Sequence, residues 1–248
     1  MDLKALQLAC RFSLPPNSLG YCGRDSAAGK FKTCVTDGVC KDVEKELEKF
    51  IVLNPYLITL SAVLKKPKFS YGVVEAYWLG NENLDQIQLG DYQLLLDNFL
   101  KQGVPSWLIE DLRARPPKTF IPHHLFQVLH VGVGRASGSV PFTLSTINDC
   151  MVRWGRVEKI NNHHELLVDL VSLDKQAGSY LLTNQRVAAK SVSGFLPGLR
   201  VGQMIAVHWQ QAVKILTLKE INQLAFWTQA VIDSVNQRQD EDSRSGKK

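Results

Sequence analysis

The run Arg200-Val-Gly-Gln-Met-Ile-Ala-Val-His208-Trp-Gln-Gln-Ala-Val-Lys-Ile215 decides the fold class. Residues 204–216 are strongly apolar and predict one strand, entered through the turn formers Pro197 and Gly198. Upstream, residues 151–160 and 165–173 read as two further strands with Asn161-Asn162 between them, and 180–183 and 187–192 as shorter ones. So many short strands in so short a stretch predict a small closed barrel, which hides its own edges. Downstream the period changes. Leu218, Ile221, Leu224, Ala225, Val231, Ile232 and Val235 follow the three-four spacing of a helix with one apolar stripe. Thr217 is its N-cap, and Glu220 three residues later completes a capping-box pattern. Residues 238–248 are polar and charged and read as a flexible tail.

The first 120 residues are read as mostly α-helical. Val43, Leu47, Phe50 and Ile51 share one face, and Pro55 opens a second segment carried by Leu57, Leu60 and Leu64. Further helices are predicted over 69–79, over 91–102 with Gly103 as cap, and over 107–115 behind Ser106. Residues 1–40, punctuated by Pro15, Pro16 and several glycines, read as irregular chain packed down by Phe12, Leu14, Tyr21 and Phe31. Residues 121–147 read as a junction. The expected class is therefore α+β: a mostly helical domain over 1–140, then a β-barrel with a terminal helix over 148–237.

Composition narrows the function. The 248 residues are 45% hydrophobic and 21% charged, which is globular rather than disordered. The net charge of +5 is spread evenly, without the basic block of a dedicated nucleic-acid binder. No apolar run reaches the roughly 20 residues of a membrane-spanning helix, and Met1-Asp-Leu-Lys does not open like a signal peptide. Five cysteines, an odd number, predict free or metal-binding thiols in a reducing cytoplasm rather than a disulfide framework.

Residues 150–236 resemble the HypC family, small chaperones of [NiFe]-hydrogenase maturation. The resemblance rests on Cys150-Met-Val-Arg-Trp-Gly155-Arg-Val-Glu-Lys-Ile160, on the strand Leu166-Leu-Val-Asp-Leu-Val171, and on the 200–215 run with its terminal helix. It implies an OB-like barrel and a non-enzymatic assembly factor. Such a factor carries the Fe(CN)₂CO fragment transiently, or recognises the immature hydrogenase large subunit, together with a HypD-like maturation protein; no nucleic acid or membrane is involved. Residue by residue, it assigns Cys150 as the iron-thiolate contact and His208 as its partner. A thiolate is a suitable soft ligand, and an imidazole can orient it. This sequence departs from the family in two ways. Cys150 lies deep within the chain instead of at a mature N-terminus, and Trp154 stands where the family carries a proline.

Outside that frame, Cys22 sits between Gly20 and Gly23, and His123, His124 and His130 form the densest histidine group. Cys22 with His123 and His130 is a second candidate site. On a regular helix the two histidines, seven apart, share a face. Trp154, Phe226 and Trp227 are candidate partner contacts, since large aromatics concentrate at interface hot spots. Gly132-Val-Gly134-Arg-Ala-Ser-Gly138 lacks dinucleotide-loop spacing and a βαβ frame. Two alternatives stand beside the iron carrier: an interaction scaffold without iron chemistry, and an enzyme whose site lies around Cys22, His123 and His130.

Overall fold

The structure is a computed structural model that describes residues 2–23, 27–161 and 165–245, with side chains as far as residue 237. Helices α1 (Leu3–Ser18), α2 (Ala27–Asp37), α3 (Val43–Leu47), α4 (Leu53–Leu64), α5 (Tyr71–Trp78), α6 (Asp91–Gln102), α7 (Ser106–Ala114), α8 (His124–Phe126) and α9 (Leu144–Cys150) come first. Strands β1 (Arg153–Ile160), β2 (Glu165–Gln176), β3 (Ser179–Ser191), β4 (Met204–His208) and β5 (Gln211–Ile215) follow, then α10 (Leu218–Ser245). The chain is mixed α+β, with helices before residue 150 and a sheet after it.

Residues 1–40 depart from expectation by being largely helical. α1 buries Leu6, Ala9, Phe12 and Leu14, and each large side chain contributes about 2 kcal/mol of burial. Pro15 and Pro16 fall in its last turn and remove the amides that would have bonded the Arg11 and Phe12 carbonyls, two backbone bonds at the very end of α1. A second departure is covalent. Cys34, near the end of α2, and Cys40 are joined by a disulfide, so these two thiols are not free. Gly38, with φ +73°, turns the chain back between them.

The sheet pairs in the order β1-β2-β3-β5-β4 and closes because β1 also pairs with β4. All pairings are antiparallel except the short β3–β5 contact, Lys190↔Gln211 and Ser191↔Ala212. The two short strands expected over 180–192 are one long strand, β3, in continuous register with β2. The single strand expected over 204–216 is instead a hairpin. Trp209 (φ 50°) and Gln210 (φ 60°) are both left-handed, as a two-residue type I′ turn demands, and they fold β5 back on β4. Gly155 in β1 lies so close to β2 that a Cβ there would collide with the Asp169 carbonyl oxygen.

The capping box of α10 is present: Thr217 N–H donates to the Glu220 carboxylate at 2.9 Å, and Glu220 N–H donates to Thr217 Oγ1 at 3.3 Å. The expected tail at 238–248 overlaps the end of α10. Its side chains, and residues 246–248 altogether, lie outside the described residues. Buried residues of the helical part and of the barrel form one continuous core. α1 seals the seam, its Arg11 guanidinium donating to the carbonyls of Phe195 (2.7 Å) and Val213 (3.0 Å).

Candidate metal centre

Three elements bring their ends together at that seam. α9, opened by a Thr143–Thr146 capping box, ends on Cys150. β4 ends on His208, and α8 begins with His124. The β4–β5 turn is pinned beside Cys150, because Trp209 N–H donates to the Asp149 carbonyl at 2.7 Å. One ligand atom from each of His124, Cys150 and His208 lies within 4.8 Å of the other two, and all three residues are buried.

The proton positions follow from the partners. His208 Nδ1 lies 2.7 Å from the Phe12 carbonyl, which only accepts, so the ring carries its proton there. That carbonyl is free because the residue four positions on is Pro16, which has no N–H to offer it. A proline in α1 thus sets the tautomer of a histidine at the far end of the chain. With that proton on Nδ1, His208 Nε2 keeps its lone pair, without a well-aligned partner and near the Cys150 carbonyl, and an imidazole whose other nitrogen is so held is oriented as metal-ligating histidines are. His124 is arranged the other way round. Its Nε2–H donates to the Cys150 carbonyl at 2.7 Å, and its Nδ1 accepts from the Tyr77 hydroxyl at 3.0 Å. The Cys150 sulfur lies 3.9 Å from His124 Nε2.

Burial sets the charges. It pushes the His124 pKa down to about 4 and holds His208 well below the ordinary imidazole value, with neighbouring His124 adding to the effect. It also raises the Cys150 thiol well above its usual range. Nearby Cys22 adds to that rise, and the Trp209 side chain opposes it. Cys22, held where Asn17 donates to its carbonyl at 2.9 Å, is pushed up to about 12 by burial. At neutral pH the group is two neutral imidazoles and protonated thiols. One sulfur and two nitrogens suit a borderline or soft metal ion, and a bound cation would displace the thiol proton. Cys150 and His208 are ready as ligands; His124 joins them by giving up its bond to the Cys150 carbonyl.

A cavity of about 60 Å³ opens onto this group, several times the space one water needs. Three of its lining residues carry a buried polar atom without a well-aligned hydrogen-bond partner, Trp78 Nε1, Gln127 Oε1 and His208 Nε2, while the Trp209 indole N–H is hydrogen-bonded to the Cys150 sulfur. Each such atom costs on the order of 1–3 kcal/mol when left unmatched, so the residues around this cavity hold unused hydrogen-bonding capacity.

The model of one protein family, described as a family of unknown function (DUF6390), matches residues 2–242. The chain belongs to this family. No curated protein and no solved structure matches it.

In this DUF6390 chain, the predicted residues Cys150, His208 and Cys22 line one cavity. The second candidate site does not assemble. His123 caps α8, its Nδ1 accepting from Leu125 N–H at 3.2 Å, and Cys22 is with Cys150. His130 bonds the Tyr92 hydroxyl at 3.0 Å, stacks on Phe126, and lines a different cavity. The physical reason is the backbone: His123 is the extended cap in front of α8, and residues Gln127–Gly132 form a π-helix with a wider turn, so the two histidines do not share one regular helical face. His124 belongs to the histidine group singled out in the sequence, but the sequence gives it no site role. Its only signal was its place beside His123, whose capping role turns it away from the cavity. Of the candidate partner contacts, Trp154 and Trp227 are covered by the chain itself, Trp227 lying over Gly80. Phe226 is 63% exposed.

Proposed function

We propose that this protein is a non-enzymatic metal-fragment carrier, a HypC-like cytoplasmic factor in [NiFe]-hydrogenase maturation. One observation carries the reading. Cys150 and His208, which the resemblance assigns as thiolate contact and partner, meet at one buried cavity with His124. The five-stranded barrel order and the trailing helix support the OB-like, HypC-like identity of residues 148–237.

In this reading the cargo is an Fe(CN)₂CO fragment. Cys150 gives up its proton and binds the iron as thiolate, and His208 Nε2 ligates or steadies it. The apolar wall around them excludes water. Residues 1–140 supply the rest of the enclosure, through Cys22, Tyr77, Trp78 and His124. Delivery to the immature large subunit, or exchange with a HypD-like protein, requires the cavity to open, and Phe226, the exposed one of the three predicted aromatics, is a contact for such a partner.

Infrared spectra of protein purified anaerobically from cells making a [NiFe] hydrogenase test this. Cyanide and carbonyl stretches are expected in the wild type and absent from Cys150→Ala, which also fails to support hydrogenase maturation. Full maturation with Cys150→Ala would defeat the iron-carrier reading. Loss of maturation without any such stretches in the wild type would favour a protein-binding scaffold.

A further inference from the structure

One wall of the cavity at the seam is a single loop thick. We infer that residues 133–140 are its lid, and that the ion pair between Arg135 and Asp111 is the latch that holds this lid shut. The inference goes beyond the metal-carrier reading, because a lid governs entry for any guest.

Val133, Ala136, Ser137, Ser139 and Val140 all line the cavity. Val133 and Ala136 are buried, whereas Ser137 and Ser139 are exposed, so the same loop touches the cavity on one side and solvent on the other. It belongs to no helix or strand: it starts where the π-helical turn ends and stops short of α9. Gly132, just before it, has φ +101°, and Gly138, within it, has φ +69°, conformations that glycine adopts without strain. A segment of this kind, with few bonds to its neighbours, opens at low cost.

One side chain fastens it. Among the described residues, Arg135 is the side chain of this loop that bonds to other elements, whereas Ser137 and Ser139 bond to each other at 2.8 Å. Arg135 Nη2 donates to the Asp111 carboxylate at 2.8 Å, and its guanidinium lies 5.5 Å from the centre of the Trp107 ring. Both partners belong to α7, and neither lines the cavity. The lid is therefore held from outside, by an element the guest does not touch. The paired side chains are 27% and 32% exposed, so solvent screens the attraction and the latch is weak enough to be reversible.

Alkylation of the metal-free full chain by iodoacetamide, read peptide by peptide by mass spectrometry, tests the latch. Cys150 reports on the cavity, and Cys10, buried in α1 and away from the cavity, reports on general opening. Arg135→Gln keeps a polar side chain and removes the charge. It is expected to speed the labelling of Cys150 about fivefold and to leave Cys10 unchanged. Arg135→Lys, which still pairs with Asp111, is expected to stay within about twofold of the wild type. An unchanged Cys150 rate in Arg135→Gln overturns the latch. Equal acceleration of Cys150 and Cys10 overturns it too, because the whole fold is then loosened. Neither result touches the metal-carrier reading, which stands or falls on the infrared spectra.

Discussion

Two cavities share the π-helical turn Gln127–Gly132, and they differ in what their polar atoms already hold. The one at the helix–barrel seam measures about 60 Å³, the other about 350 Å³. The larger is lined by Arg115, His130, Arg135, Lys175 and Tyr180, a set that looks ready for an anion. Yet Arg135 Nη2 lies 2.8 Å from the Asp111 carboxylate, which Arg115 also grips. His130 is bonded to Tyr92, and the Lys175 ammonium sits 5.0 Å over the Tyr180 ring. That crevice has satisfied itself. The smaller one keeps an imidazole lone pair on His208 and an idle indole donor on Trp78. Unmatched buried polarity, not volume, separates a site from a gap.

The comparison breaks most sharply at the sulfur. Cys150→Ala is expected to weaken Co(II) binding about 1000-fold by calorimetry, while His130→Phe leaves it within about twofold. Equal losses in the two variants would erase the distinction between the cavities. His208→Leu is expected to weaken the metal about 100-fold.

Acidity sharpens the same contrast. Burial keeps the Cys150 thiol protonated through neutral pH, and both site histidines are neutral above about pH 5. Each metal ion then releases one proton, so apparent affinity should rise about tenfold per pH unit between pH 6 and 8. Calorimetry in two buffers of different ionisation enthalpy counts that proton; a count of zero would mean that sulfur does not bind.

Without metal, the buried histidines tie stability to pH. Burial lowers His123 to about 3 and His124 to about 4, and holds His208 well below its ordinary value. Below pH 6.5 the unfolded chain takes up protons that the folded chain refuses. Stability is therefore full above that pH and falls toward pH 4, by about 1.4 kcal/mol per unit for each histidine. Urea midpoints at pH 7 and pH 5 measure the slope, and a flat profile would contradict the sealed seam. The smallest effect belongs to the larger cavity: His130→Phe should destabilise by about 1 kcal/mol, the loss of its bond to Tyr92.

Much of this was legible in the sequence where local rules act alone. α6 with its Gly103 cap and the capping box of α10 fall where spacing and cap chemistry put them, and α7 falls where spacing puts it, although Ser106 is its first residue and Pro105, not Ser106, precedes it as cap. The β4–β5 turn was not legible, because Trp209-Gln210 carries neither glycine nor asparagine and tertiary contacts impose its left-handed geometry. α1 was hidden by its prolines. Cys150 and His208 stood out through a pattern of neighbours, whereas Cys22 was noticed in the wrong company. His124 was missed because its role depends on a π-turn and on Tyr77, neither of which spacing encodes.

The bond from His208 to the Phe12 carbonyl has a temporal consequence. It joins positions 196 residues apart, the second written long after the first. During synthesis the opening helix leaves the ribosome early, but the nook it helps to wall exists only after the last hairpin has emerged. A half-made polypeptide therefore presents scattered thiols without a ligand cage, and only the finished chain can take a load on board.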